Sequence, residues 1–113
     1  MAQYVTKTID SVIRGTTFKG IGFSIKTGPD AQHLTPLSIA SAKMDIKVSA
    51  AAPATLTLTT GSGLTIDPAY PGMVVVDSQI IDIEPFNYIY DIETVTPDGE
   101  VDVYIKGTWE IIN

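Results

Sequence analysis

A chain of 113 residues and 12.1 kDa is long enough to bury a core as one domain, residues 1–113, without help from a metal or a disulfide. It has no Cys and a single histidine, which excludes disulfides, thiolate metal sites and the usual histidine-rich zinc sets. The net charge of −6 argues against nucleic acid as a partner, and no apolar run approaches the length of a membrane span.

The opening, Met1-Ala2-Gln3-Tyr4-Val5-Thr6, lacks a basic segment followed by an apolar one, so no signal peptide is expected. Residues 3–13 are polar and β-branched around Tyr4, Val5, Ile9, Val12 and Ile13. They suit a first strand or an extended N-terminal arm (1–13). Arg14-Gly15-Thr16 turns the chain into Thr17–Lys26, where Ile21, Phe23 and Ile25 share one face of a strand. Gly20 and Gly22 lie between them, as at a bulge or a close approach of backbones.

Thr27-Gly28-Pro29-Asp30 is turn chemistry, and Pro36 extends the irregular connection to residue 41. Ala42, Met44, Ile46 and Val48 then alternate with Lys43, Asp45 and Lys47, the period of a half-buried strand. Pro53 sits in a loop, and Leu56 and Leu58 alternate with threonines in the next strand. Gly61-Ser62-Gly63 turns into Leu64-Thr65-Ile66. Met73–Val76 is continuously apolar and reads as buried on both faces. Residues 77–85 have room for a single helical turn.

The end of the chain is its most legible part. Tyr88, Tyr90 and Ile92 alternate with Asn87, Asp91 and Glu93; Val101, Val103, Ile105, Trp109 and Ile111 alternate with Glu100, Asp102, Tyr104, Lys106 and Glu110. Between them, Pro97 presets φ for a turn and Gly99 can take a positive φ. A four-residue loop, Thr96–Gly99, sets Val95 opposite Glu100, Glu93 opposite Asp102, Ile92 opposite Val103 and Tyr90 opposite Ile105. About seven or eight short strands with turns between them predict an all-β fold. The expected form is an antiparallel, immunoglobulin-like β-sandwich, or a partly closed barrel, ending in a C-terminal hairpin.

Six motifs follow one another along the chain: Arg14-Gly15-Thr16-Thr17-Phe18, Pro36-Leu37 with Ala42–Lys47, Thr60–Ile66, Tyr88–Ile92, Thr96–Val101 and Lys106-Gly107-Thr108-Trp109. Taken in order, they resemble a family of small phage and prophage structural domains of the type found at the N-terminus of siphophage upper baseplate proteins. The similarity covers roughly residues 14–112. The chain departs from it with Pro85-Phe86-Asn87 where Pro-Gly is usual before the tyrosine, and with Gly15-Thr16 where Gly-Asp is usual. The resemblance implies a non-enzymatic virion component, assembled in the bacterial cytoplasm, that associates with itself or with tail, baseplate, neck or capsid subunits. The rival expectation is a free-standing immunoglobulin-like adhesin or carbohydrate-binding module.

No cofactor or catalytic grouping is expected. His33 lies in a loop, and Gly61-Ser62-Gly63 joins strands instead of opening a helix, the wrong context for a phosphate loop. Glu93, Asp102, Asp91 and Glu100 fall close together on the wet face of the expected hairpin. Solvent, a basic partner surface or a cation would relieve their repulsion. Tyr88, Tyr90 and Trp109 fall on its dry face, as core or, alternatively, as a sugar-stacking surface; Tyr104 points outward as a candidate anchor. The candidate interface is therefore Tyr4, Val5, Ile9, Asp91, Glu93, Glu100, Asp102 and Tyr104. Residues 1–50 carry six basic against three acidic side chains (+3), and residues 51–113 one against ten (−9). Two surfaces of opposite sign would follow if sequence halves were spatial halves.

Overall fold

The computed structural model describes residues 5–30 and 32–113. Twelve strands and no helix occur among them: β1 (Val5–Ile13), β2 (Thr17–Phe18), β3 (Ile21–Ser24), β4 (Lys26–Thr27), β5 (Thr35–Pro36), β6 (Ser41–Lys47), β7 (Leu56–Thr60), β8 (Gly63–Ile66), β9 (Met73–Val76), β10 (Gln79–Ile80), β11 (Phe86–Val95) and β12 (Val101–Ile112). Eight form one sheet in the order β1-β12-β11-β6-β7-β8-β9-β3. The other four are two-residue strands paired as β10-β2 and β4-β5. The count exceeds the expected seven or eight because these short pairs carry no periodic signal.

The large sheet doubles over at β7–β8, where the parallel pairing is two residues long and Gly61 and Gly63 hold φ of +83° and +103°. That fold makes a sandwich. Phe23 of β3 meets Tyr90 of β11 with ring centroids 6.3 Å apart, and Phe18 meets Trp109 at 4.8 Å. Around these pairs Met44, Ile46, Leu64, Val74, Val76, Ile92 and Trp109 are wholly buried. Each tilted aromatic pair adds about 1 kcal/mol beyond the area it buries.

Several local expectations change. Thr17–Lys26 is three short strands instead of one, broken where Gly20 takes φ +97° and where a side chain would meet the Val76 carbonyl oxygen at 3.1 Å. Residues 77–85 contain no helical turn; β10 pairs with β2 there. Met73–Val76 is not dry on both sides: Val74 and Val76 are buried, while Met73 and Val75 are half-buried. β1 runs parallel to β12, so the sheet is mixed and not wholly antiparallel.

The closing hairpin exists, with Tyr88, Tyr90 and Trp109 turned into the core. Its register differs from the expected one. The Glu100 amide donates to the Thr96 hydroxyl at 3.0 Å and the Thr96 amide to the Glu100 carbonyl at 2.9 Å, so the loop is Thr96–Glu100 and Val95 faces Val101. Gly99 does take a positive φ, +90°. Farther along, a β-bulge lies between Glu93↔Val103 and Ile92↔Ile105, leaving Tyr104 as the extra residue. The longer loop turns Val101 outward, 54% exposed, and the bulge restores Ile105, Trp109 and Ile111 to the core.

Candidate interaction surfaces

β1 is an edge strand of the sheet, and seven of its nine residues are exposed. Two buried aromatic side chains tether it. Tyr90 reaches over Gly107 and its hydroxyl donates to the Lys7 carbonyl oxygen at 2.9 Å. Trp109 Nε1 donates to the Asp10 carbonyl oxygen at 3.1 Å. A buried Tyr or Trp retains a polar atom that needs a partner, and here the partner is the backbone of the edge. Burial pushes the Tyr90 hydroxyl up to a pKa of about 12. Gly107 is required by the same crossing: a Cβ there would lie 1.5 Å from the Lys7 carbonyl oxygen.

The outward face of β12, β11, β6 and β7 is a polar array. Lys106, Asp91, Asp45 and Thr57 form one cross-strand row, and Val103, Glu93, Lys43 and Thr59 the next. Lys43 Nζ lies 3.8 Å from Asp45 and 3.9 Å from Glu93, and Thr57 donates to Asp45 at 2.9 Å. Arg14 likewise bridges Asp82 at 3.0 Å and Glu84 at 3.3 Å. Arg14 and Lys43 of the first half thus sit on Asp82, Glu84 and Glu93 of the second, Lys43 because β6 flanks β11. The sequence halves are not spatial halves, and the two-signed split does not become two opposed surfaces.

An open groove lies between the β4–β5 connection and the β11–β12 turn, lined by Lys26, Asp30, Asp98, Glu100, Asp102 and Tyr104 among others. Tyr104 donates to Asp102 at 3.5 Å, and Thr96 donates to Asp98. A hydrogen bond with Asp102, and then its charge, raise the Glu100 carboxyl above its ordinary pKa. Desolvation, and then Asp102 and Glu100, raise the Tyr104 hydroxyl. His33 Nδ1 lies 2.6 Å from Asp30 Oδ1 on the exposed β4–β5 connection. Among the described residues no group of three His, Cys, Asp or Glu side chains is arranged to hold a metal ion.

The candidate interface residues therefore fall into separate places. Tyr4 lies outside the described residues. Val5 is exposed on the β1 edge, whereas Ile9 is 2% exposed and belongs to the core, because β1 docks it against Trp109. Asp91 and Glu93 lie on the outward array. Glu100, Asp102 and Tyr104 line the groove, and Tyr104, the extra residue of the bulge, is half-buried and packs partly against the core. Glu93 is opposite Val103 and Asp102 is opposite Thr94, so the expected Glu93–Asp102 contact does not form. Sequence reasoning missed the tethering role of Tyr90 and Trp109. The signal was present in their polar atoms, which a purely apolar core would leave unpaired.

No family model matches this chain, and no curated protein matches it. Among solved structures it is similar to CopC from Methylosinus trichosporium OB3b. The identity is 12% over 91% of this chain and 82% of that one, with a TM-score of 0.49.

Proposed function

We propose that this protein is a non-enzymatic structural component of a bacteriophage virion, a rigid β-sandwich that associates with copies of itself and with neighbouring tail, baseplate, neck or capsid subunits. The observation that carries this reading is the exposed β1 edge. Alternate residues along it offer backbone donors and acceptors on the side away from β12, and Tyr90 and Trp109 hold it to the core. The motif series from Arg14 to Trp109 supports the virion assignment. The flat outward array of Lys43, Asp45, Asp91 and Glu93 supplies a second, polar contact face.

The carbohydrate-binding alternative calls for exposed aromatic faces. Tyr88, Tyr90 and Trp109 are buried, and among the described residues the exposed aromatics are Tyr70, in the turn between β8 and β9, and Phe86, on β11. Light scattering across protein concentration, at low and high salt, tests self-association, and electron microscopy of virions labelled against this chain tests the location. Concentration-dependent oligomers and labelled particles are expected. A strict monomer in both salts together with unlabelled virions overturns the reading.

A further inference from the structure

The proposed self-association leaves open how two copies join, and β1 supplies a specific answer that rests on that reading. Among the described residues β1 pairs with β12 alone, and its ladder is interrupted at Asp10 and Ser11. Only Ile9 and Val12 of its nine side chains are buried. The place it occupies is nevertheless shaped for its own sequence. Gly107 leaves room for the Lys7 carbonyl, the Tyr90 hydroxyl and Trp109 Nε1 meet carbonyls three residues apart, and Ile9 lies opposite Trp109. A strand lifted out would strand two buried donors, so the vacancy favours refilling by a segment with this pattern. The segment that has it is β1 of a second copy.

The connection to β2 suits such a movement. Gly15 takes φ +80°, and the space where its Cβ would lie is open. The turn closes through the Thr16 amide and hydroxyl on the Ile13 carbonyl, at 3.0 and 2.6 Å. Arg14, on the β1 side of Gly15, is joined to Asp82 and Glu84 and, through its amide, to the Ile112 carbonyl at 2.7 Å; these contacts part when β1 leaves and re-form on the neighbour that receives it. Opening the turn redirects β1 while the body stays folded. We propose that β1 is exchanged between copies of this chain, each β1 docking on the β12 edge of a neighbour. Reciprocal exchange gives a closed dimer, and onward exchange gives a ring.

The absence of native cysteine makes the test direct. Thr8 and Thr108 are opposite one another in the β1–β12 register, with hydroxyls 3.5 Å apart. Full-length Thr8→Cys and Thr108→Cys chains are mixed, incubated and oxidised. Exchange yields the heterodimer joined by a disulfide between positions 8 and 108 several-fold in excess over either homodimer, and adding Tyr90→Phe to both chains accelerates it roughly five-fold, the worth of one hydrogen bond. Oligomers by light scattering without the heterodimer overturn exchange but leave self-association by another surface standing. Monomers without cross-links overturn both. The exposed pair Ile13→Cys and Ile112→Cys, also in register, repeats the test should either threonine variant fold poorly.

Discussion

The Tyr90 hydroxyl donates to the Lys7 carbonyl oxygen across the bare backbone of Gly107, joining β11 to β1 over the strand between them. Three strands are held by one side chain, and the absence of another makes the reach possible. The tether explains why an edge strand with seven exposed residues docks at all, and the mutational consequences follow from its geometry.

Gly107→Ala sets a methyl carbon where the Lys7 carbonyl oxygen lies, 1.5 Å away, with the Tyr90 ring at 3.0 Å. The backbone of β1 must move. A loss of about 3 kcal/mol in urea unfolding is expected, with hydrogen-exchange protection lost along β1 while β6 and β9 keep theirs. Unchanged β1 protection would refute the crossing.

Trp109→Phe removes the donor to the Asp10 carbonyl and shrinks the partner of Phe18 in a wholly buried site. The lost bond and the cavity together cost about 3 kcal/mol. Tyr90→Phe keeps nearly the same volume and costs only about 1 kcal/mol. The ratio of the two, read from denaturant midpoints, separates packing from hydrogen bonding.

Alkaline stability follows from Tyr90. Its pKa, about 12 in the folded chain, exceeds the value near 10 of an unfolded tyrosine. Between those values the unfolded chain releases a proton that the folded one retains, so stability is full below pH ~10 and falls as pH rises towards ~12. The decline attributable to this group is on the order of 2 kcal/mol. Absorbance titration of the phenols should show late ionisation, and Tyr90→Phe should remove this contribution to the decline.

At the hairpin tip, the Glu100 carboxyl should titrate above its ordinary value, because a hydrogen bond with Asp102, and then the Asp102 charge, favour its protonated form. Its folded pKa is raised, so the stabilisation from its protonated form is present at low pH and disappears as Glu100 ionises. Carbon-detected NMR titration checks this. Asp102→Asn should bring the Glu100 transition down, and high salt should narrow the gap in the parent chain.

Much of the strand content was legible in the sequence. The alternation through Ala42–Lys47 and Tyr88–Thr94 and the Pro97-Asp98-Gly99 turn each depend on neighbours a few positions away. They produced a strand buried at every second residue, a buried aromatic row and a positive φ at Gly99. The loop length resisted reading because the Thr96 hydroxyl captures the Glu100 amide, a choice between two turns that the pattern of apolar residues does not register. The bulge at Tyr104 was hidden for the same reason: it adds one residue without disturbing the composition on either side.

The amino-acid sequence by itself determined an all-β chain with a closing hairpin and its large aromatics inside, because period and turn chemistry are local properties. Tertiary structure alone decided that β1 lies parallel to β12, that Ile9 is core and not surface, and that Arg14 and Lys43 meet acids of the other half. Those outcomes join residues as far as 100 positions apart. They are selected by which pairing buries Ile9 and Val12 while giving the polar atoms of Tyr90 and Trp109 a carbonyl each, a condition met only when the whole sandwich is assembled.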